Sequence, residues 1–462
     1  MAKKRKRSGR NSPSGLHAPV TRQAPQPVFA QPSPTEDPTT FHIPHASDGA
    51  AYKAIDELNK EHELHALPFP APRGGTEPQL TLAQVLGDVD GAPAEVRKTA
   101  NATVDAITQS GQIVFHSLGD CGSTAGPKTQ NEVVDKMLGD FQEADAAEMP
   151  QFNFLLGDIV YSFGEAQYYY DQFYEPYRDY PAPILAAPGN HDGMISPLAG
   201  AKSLAAFLRN FCATGFVVTP EAGGLSRTAQ IQPGVFFTFE APLVRIIALY
   251  SNTLEDPGVI ADTNTGDSQL KFLEAALKRV KTEKFAGALL FANHHPPYTA
   301  GQHGWSPDMS AQIDTICAKV GVWPHAFLSG HAHNYQRFTR TRNEDKSQIP
   351  YIVCGNGGHA HQAIGKSQGQ TLRAPQVVQK ATDKTDLVVI ENYDDQNYGY
   401  LRVVVTKSQL RIEYHPASDG ARTKAPDDFV TVDLTSRQLV HYNAIDMGHP
   451  EQATKVRAKR KG

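Results

Sequence analysis

The chain has 462 residues, of which 40% are apolar and 20% are charged, and its formal charge is -5 at pH 7. This length and apolar content allow a large buried core. No apolar run reaches the roughly 18 residues that cross a bilayer, which excludes a membrane-spanning helix. The four cysteines lie far apart and form no CxxC pair, so neither a disulfide framework nor a cysteine zinc site is expected.

Basic residues are concentrated at the two ends of the chain. The first ten residues carry six basic side chains and no acid, and residues 451–462 carry five basic side chains and one acid. The rest of the chain is therefore acidic and poorly suited to phosphate backbones, so nucleic acid is not expected as the main partner. Solvated ends are the favoured interpretation of the tails, and anion binding or nuclear import is the alternative.

Composition predicts four segments. Residues 1–75 are basic and Pro-rich and are expected to be disordered, and residues 76–110 form a lead-in segment with a helix over Ala94–Thr108. Residues 111–435 form the main domain, and residues 436–462 form a C-terminal extension with a basic tail. The positive N-terminus has no apolar stretch after it, so no signal peptide is expected and the chain is predicted to be cytoplasmic.

Within the main domain, short apolar runs alternate with helical segments, which indicates an α/β architecture with buried sheet. After Lys384, antiparallel strands are expected to complete a second sheet. Asp267 is the predicted N-cap of the last helix. The predicted helices are Glu132–Leu138, Leu198–Phe211 and Ser268–Lys281. The predicted strands are Ile113–Leu118, Phe152–Leu156, Ile184–Ala187, Val244–Leu249, Ala288–Ala292, Ala326–Leu328, Tyr351–Val353, Leu387–Ile390, Tyr400–Thr406 and Leu410–His415.

Five short motifs each follow one of the predicted strands. In open α/β sheets the carboxyl ends of the strands form the ligand crevice, so these motifs are expected to converge on one edge. They supply carboxylates, an amide oxygen and imidazoles, which are the ligands that divalent and trivalent cations prefer. The motifs are Gly119-Asp120-Cys121-Gly122, Gly157-Asp158-Ile159-Val160-Tyr161, Gly189-Asn190-His191-Asp192, His294-His295-Pro296-Pro297-Tyr298 and Gly330-His331-Ala332-His333.

In this order the five motifs resemble the metallophosphoesterase, or calcineurin-like phosphoesterase, superfamily, and within it the purple acid phosphatases. Many superfamily members carry Asp-x-His in the first motif, but here Cys121 and Gly122 follow Asp120. The second motif instead ends in Tyr161, as in the GDxxY pattern of purple acid phosphatases, in which the tyrosine binds ferric iron. The resemblance covers roughly residues 111–415. It implies a four-layer α/β/β/α sandwich of two mixed sheets, with a dinuclear metal site at the strand C-terminal ends.

The resemblance also implies which residues bind the two metals. The implied ligands of the first metal, expected to be iron, are Asp120, Tyr161 and His333. The implied ligands of the second metal, expected to be zinc, manganese or iron, are Asn190, His294 and His331. Asp158 would bridge the two metals, His191 would lie beside the phosphate, and His303 would contact the leaving group.

The implied function is hydrolysis of small phosphate esters, above all monoesters as in acid phosphatases, through in-line attack by a metal-bound hydroxide. His303 or His191 would protonate the leaving alcohol. Two alternatives stay open. One is a phosphodiesterase or nucleotide pyrophosphatase that uses the same metals, and the other is a catalytically inactive scaffold that uses its basic tails. The substrate and the oligomeric state are not predicted.

Overall fold

The structure is a computed structural model that describes residues 66–194, 202–253, 255–364, 366–367, 370–418 and 425–442. The predictions for residues 1–65 and for both basic tails lie outside the described residues, as does the start of the predicted helix Leu198–Phe211. None of the described helices is long and apolar enough to cross a membrane.

The described residues form two mixed β-sheets with flanking helices. The helices are α1 (Leu82–Val85), α2 (Ala94–Ser110), α3 (Lys128–Leu138), α4 (Asn190–Gly193), α5 (Ala205–Phe211), α6 (Ser268–Glu283) and α7 (Pro307–Val320). The strands are β1 (Gln79–Thr81), β2 (Gln112–Leu118), β3 (Pro150–Leu155), β4 (Ile184–Ala186), β5 (Phe237–Ala241), β6 (Val244–Ala248), β7 (Ala288–Ala292), β8 (Ala326–Ser329), β9 (Tyr335–Thr341), β10 (Gln348–Cys354), β11 (Lys366–Ser367), β12 (Gln370–Thr371), β13 (Gln376–Gln379), β14 (Leu387–Asp394), β15 (Gly399–Thr406), β16 (Gln409–Pro416), β17 (Asp428–Asp433) and β18 (Leu439–Tyr442).

The first sheet has nine strands in the order β1-β5-β6-β7-β8-β10-β9-β14-β13, and β6, β7, β8 and β10 are parallel to one another. The second sheet has seven strands in the order β18-β17-β16-β15-β2-β3-β4, and β2, β3 and β4 are parallel. The strands β11 and β12 form a separate pair. This arrangement confirms the predicted α/β fold with two mixed sheets.

Aromatic side chains pack the two sheets against each other. Phe152 on β3 meets Phe239 on β5 edge-to-face at a ring-centroid distance of 4.9 Å. Tyr335 on β9 stacks on Tyr414 on β16 at 4.0 Å. Each pair joins one strand from each sheet, and fully burying a large apolar side chain contributes about 1.5–3 kcal/mol. The core therefore lies between the sheets and holds their strand ends in a fixed relation.

Of two local predictions after residue 260, one was confirmed and one was wrong in part. Asp267 is the N-cap residue of α6, as predicted, although its side chain makes no capping hydrogen bond and instead pairs with Lys271 at 2.8 Å. Beyond Lys384 the strands divide between the sheets, because β14 pairs with β9 in the first sheet whereas β15 pairs with β2 in the second. Alternation of apolar residues marks a strand, but the choice of neighbour depends on tertiary packing.

The segments on either side of the main domain also supply edge strands. In the predicted lead-in segment, β1 pairs in parallel with β5. In the predicted C-terminal extension, β18 pairs with β17. The helix α7 was not predicted, although Ser306 accepts a hydrogen bond from the Met309 N–H and caps it. The division of the chain into four segments stays a prediction.

Candidate metal centre

The five motifs lie at the carboxyl ends of parallel strands, four of them in loops and the third at the start of the short helix α4. Asp120 follows β2, Asp158 follows β3 and Asn190 follows β4, all in the second sheet. His294 follows β7 and His331 follows β8 in the first sheet. A hydrogen bond from the Gly119 N–H to the Cys354 carbonyl, at 2.8 Å, joins the two sheets at this edge. The strand ends of both sheets thus meet at one buried site.

The backbone of this edge adopts conformations that side chains rarely accept. Asp120, Asp158 and His331 have φ values of 55°, 53° and 69°, in the left-handed region. Such conformations are uncommon for residues other than glycine and are concentrated at functional sites. A Cβ atom on Gly189 would collide with the Asp158 carboxylate, so only glycine lets this loop approach Asp158 so closely.

One set of donor atoms surrounds the Tyr161 hydroxyl. This hydroxyl lies 3.0 Å from Asp120 Oδ1, 3.2 Å from Asp158 Oδ2 and 3.2 Å from His333 Nε2. We call Asp120, Tyr161 and His333 the first donor group. Its members come from three different loops and are all buried.

A second set surrounds His294 Nε2. This nitrogen lies 2.9 Å from Asn190 Oδ1, 3.2 Å from His331 Nδ1 and 3.1 Å from Asp158 Oδ2. We call Asn190, His294 and His331 the second donor group. The same Asp158 oxygen therefore touches both groups. These are the seven residues predicted as metal ligands, and the structure brings all of them together.

The distances suit ligands that share an ion. Two ligands each about 2.1 Å from one cation, at angles of roughly 90–110°, lie about 3.0–3.4 Å from each other. Hydrogen bonds outside the groups also orient the donors. His294 Nδ1 lies 2.8 Å from the Leu156 carbonyl, to which it donates, so that Nε2 is the nitrogen directed at the second donor group.

Two carboxylates of the site, Asp120 and Asp192, have pKa values well above their ordinary range. Burial raises the pKa of Asp120 to about 7, with the Asp158 charge adding to the effect although His294 opposes it. Burial and the Asp158 charge likewise raise the pKa of Asp192 to about 7. In the part of the chain that the structure describes, no lysine or arginine forms an ion pair with either residue. A cation in the site would stabilise their ionised forms.

The site histidines divide into two kinds. Burial alone would lower the pKa of His294, but the charges of Asp158 and Asp120 raise it to about 9. Burial and the neighbouring His303 lower the pKa of His333 to about 3, and burial lowers the pKa of His331 well below its ordinary value. Neutral imidazoles are the form that binds metals, so His331 and His333 are in the right protonation state at neutral pH.

His191 lies beside the first donor group rather than within it. Its backbone N–H donates to Asp158 Oδ1 at 2.9 Å, and its ring lies 4.3 Å from the Tyr161 ring. The Nδ1 atom donates to the Ser162 carbonyl at 2.7 Å, which leaves Nε2 on the side of Asp158 Oδ2, at 3.9 Å. The ring is thereby fixed at the margin of the donor atoms.

His303 also reaches the site, from the loop before α7. Its ring centroid lies 4.1 Å from that of His331 and 6.0 Å from that of His333. Nδ1 lies 3.0 Å from Asp256 Oδ2, and Nε2 lies 2.7 Å from the Gln362 amide nitrogen. Burial lowers the pKa of His303, but Asp256 more than offsets this and the net shift is upward.

Sequence reasoning assigned no role to two residues that surround the donor groups. Asp256 lies in the loop after β6, and its carboxylate contacts both His303 and His331. Asp192 accepts hydrogen bonds from the Gly189 N–H at 2.8 Å and the Ile159 N–H at 3.2 Å, which ties two ligand loops together. Asp256 follows a parallel strand of the first sheet, so the same rule that marked the five motifs could have marked it.

His359 completes the surroundings of Tyr161. Its ring stacks on the Tyr161 ring with a centroid distance of 3.7 Å and an interplanar angle of 6°. On its other side Tyr161 packs against His191. Burial lowers the pKa of His359 well below its ordinary value, so the ring that covers Tyr161 is neutral.

Residues 116–335 match the model of the calcineurin-like phosphoesterase family. The chain contains a calcineurin-like phosphoesterase domain. The matched part of this phosphoesterase domain begins within β2 and ends at the start of β9. It includes the six residues of the two donor groups as well as Asp158. No sequence of a curated protein matches the chain significantly.

Solved structures with some likeness to the chain include three with known sources. The purple acid phosphatase PPD1 of yellow lupin (Lupinus luteus) seeds is 18% identical, with a TM-score of 0.46 over 70% of this chain and 54% of that chain. GAP50, the anchor in the inner membrane complex of Plasmodium, is 13% identical, with a TM-score of 0.44 over 75% of this chain and 94% of that chain. A dimetal phosphatase from Danio rerio is 11% identical, with a TM-score of 0.37 over 66% of this chain and 96% of that chain. The chain spans about half the length of the lupin chain, and with TM-scores below 0.5 these likenesses support no conclusion about its activity.

Proposed function

We propose that the chain is a dinuclear-metal hydrolase of phosphate esters, with small phosphate monoesters as its main substrates. The observation that carries this proposal is the position of Asp158 Oδ2, which lies within 3.2 Å of Tyr161 in the first donor group and of His294 in the second. A shared carboxylate oxygen is what two neighbouring metals need as a bridge.

The two donor groups differ in charge and therefore suit different cations. The first group combines a carboxylate with a phenol and one imidazole, and a hard trivalent ion such as ferric iron favours such oxygen ligands. The second group combines a neutral amide oxygen with two imidazoles, which suits divalent zinc, manganese or iron. We therefore assign iron to the Tyr161 position and one of these divalent ions to the other.

When bound, two such cations polarise the phosphate oxygens and lower the pKa of a coordinated water from 15.7 towards roughly 7. The chain's own residues do the rest. Asp158 contacts both donor groups and would fix the distance between them. The neutral Asn190 side chain limits the negative charge where the phosphate must bind.

His191 lies at the margin, where it would contact the phosphate. His303, when protonated on both nitrogens, would give the Nε2 proton to the leaving oxygen while its Nδ1–H stays hydrogen-bonded to Asp256. The Gln362 amide nitrogen would then no longer donate to Nε2.

The first test is Asp158→Asn in the full chain, with exposed Asp383→Asn as a matched control. Both variants and the wild type are assayed for metal content and for hydrolysis of p-nitrophenyl phosphate, bis(p-nitrophenyl) phosphate and a nucleoside diphosphate. We expect about two metals per chain in the wild type and the control. Activity of Asp158→Asn should fall by more than the roughly 10–100-fold that loss of a supporting partner costs.

Several outcomes would contradict the proposal in different ways. Unchanged hydrolysis by Asp158→Asn would show that the site does not catalyse the reaction. A wild type that prefers the diester or the diphosphate would be a phosphodiesterase or a pyrophosphatase and not a monoesterase. Fewer than one metal per chain without hydrolysis would favour the inactive scaffold.

The assignment of iron has its own test. A tyrosinate bound to ferric iron absorbs visible light, so the iron-loaded protein should be coloured and Tyr161→Phe should lose the band while the total metal content changes little. An active protein without iron or colour would contradict the role of Tyr161.

A further inference from the structure

One carboxylate outside the two donor groups connects a predicted metal ligand to the predicted proton donor. Asp256 lies in the loop after β6 and is about one-third exposed, with a side-chain exposure of 31%. Its Oδ1 accepts a hydrogen bond from His331 Nε2 at 2.7 Å, and its Oδ2 accepts one from His303 Nδ1 at 3.0 Å. Each oxygen therefore serves a different imidazole.

The first contact decides which nitrogen of His331 is available to a metal. A neutral imidazole has one N–H and one lone pair, and the partner of the N–H fixes the tautomer. With the proton on Nε2 facing Asp256, the lone pair of His331 lies on Nδ1, which is 3.2 Å from His294 Nε2 in the second donor group. Asp256 thus turns the lone pair of His331 toward the second metal position.

The second contact holds the ring of His303. Nδ1 donates to Asp256, while Nε2 lies 2.7 Å from the Gln362 amide nitrogen. The Gln362 backbone is in turn attached to the ligand loop, because its N–H donates to the His333 carbonyl at 3.1 Å. Asp256 and Gln362 therefore hold His303 from two sides, with its ring 4.1 Å from His331.

We propose that Asp256 is a positioning residue that orients the metal ligand His331 and the proton donor His303 through a single carboxylate. This role rests on the proposed function of the site. An alternative occupant exists, since Asp256, His303 and His331 present atoms within 4.8 Å of one another that would also suit a cation. The hydrogen-bonded arrangement is favoured because His331 can face the second donor group through Nδ1 only while Nε2 keeps its proton.

The role predicts two separate losses in Asp256→Asn, because the amide has one acceptor oxygen in place of two. Affinity for the second metal should fall about 10–100-fold, as for loss of a hydrogen-bond partner behind a metal ligand, while affinity for the first is unchanged. Hydrolysis of an alkyl phosphate, which needs a proton donor, should fall more than hydrolysis of p-nitrophenyl phosphate, which has a good leaving group. Asp256→Glu should recover part of both.

The experiment uses the full-length wild type, Asp256→Asn, Asp256→Glu, His303→Gln and the control Asp383→Asn. Each is dialysed against buffered free Zn²⁺ for metal analysis and then assayed on both substrates, after circular dichroism confirms that it is folded. In the double variant Asp256→Asn/His303→Gln, assayed with Zn²⁺ in excess, the ratio of activity on the alkyl phosphate to that on p-nitrophenyl phosphate should equal that of His303→Gln alone, because both changes affect this ratio through His303.

Wild-type metal affinity and an unchanged ratio of the two activities in a folded Asp256→Asn variant would overturn the proposal. If the wild type binds three equivalents of Zn²⁺ and Asp256→Asn loses only the third, Asp256 is the ligand of a further cation and not a positioning residue. A wild type that binds no metal and hydrolyses neither substrate would instead contradict the proposed function, and the role of Asp256 with it.

Discussion

The metal centre and the ion pair of Arg337 and Asp428 are both buried, but they balance charge in different ways. Arg337 donates to both oxygens of Asp428, at 2.7 and 3.0 Å, and the Tyr335 hydroxyl donates to Asp428 at 2.7 Å. At the metal centre, Asp120 instead accepts hydrogen bonds from Tyr161 and from the His331 backbone N–H, at 3.0 and 2.7 Å. Among the described residues, no arginine or lysine pairs with Asp120.

This difference separates a structural role from a functional one. Burying a charge is unfavourable unless a partner compensates it, and the Arg337–Asp428 pair carries its compensation within the chain. At the metal centre, burial raises the pKa values of Asp120 and Asp192, whereas the pKa of Asp158, which burial alone would raise, is lowered by His294 and His191. A bound cation would stabilise the ionised forms of Asp120 and Asp192. Perturbed groups of this kind are concentrated at functional sites.

The largest contrast is expected from Asp120→Asn. Activity should fall at least about 1,000-fold, since the metals supply several kcal/mol of transition-state stabilisation. Because the pKa of Asp120 is raised to about 7, its contribution to stability is lost as pH rises through 7. In chelator at pH 8 the variant should therefore be more stable than the wild type, by about 1–2 kcal/mol.

Urea denaturation in EDTA and then in Zn²⁺ measures this effect. Added metal should stabilise the wild type more than Asp120→Asn, because the variant keeps only the second donor group complete. A variant that is less stable than the wild type in EDTA at pH 8 would show that the two regions do not differ in the proposed way.

The same substitution in the structural pair should act in the opposite direction. Asp428→Asn leaves the buried Arg337 charge uncompensated, so the free energy of unfolding should fall by about 3–5 kcal/mol. Replacing both partners, as in Arg337→Met/Asp428→Leu, should recover most of that loss. Denaturation at pH 7 in EDTA tests both variants. If Asp428→Asn is as stable as the wild type, the Arg337–Asp428 pair does not have the proposed structural role.

A smaller effect, dependent on pH, is expected at Glu413 on β16. Burial would raise its pKa, but hydrogen bonds from His415 and Arg411 and the charge of Arg402 lower it from 4.5 to about 2. Its ionised form therefore stabilises the fold above about pH 4.5, and this contribution is lost as pH falls towards 2. Glu413→Gln should lower stability by about 2 kcal/mol at pH 6, and the difference should narrow by pH 4. A difference that stays constant over this range would assign the effect to packing.

Much of the site could be predicted because its residues lie at the ends of apolar runs. The motifs around Asp158 and His294 follow strands whose burial is evident from composition, and the crevice rule places them together. Asp256 also follows a parallel strand, but it was not predicted because it lies in an irregular loop outside the five motifs, and its partners are 47 and 75 residues away. The strand β14 was wrongly predicted to join the second sheet for a similar reason, since local alternation does not identify the neighbouring strand.

The sequence by itself determined the ligand types, their order along the chain and the α/β class, because periodicity and residue chemistry are local properties. The tertiary structure alone decided that one oxygen of Asp158 touches both donor groups and that Asp256 joins His303 to His331. Such contacts depend on how two separate sheets pack face to face, which brings loops distant in the chain within hydrogen-bond distance.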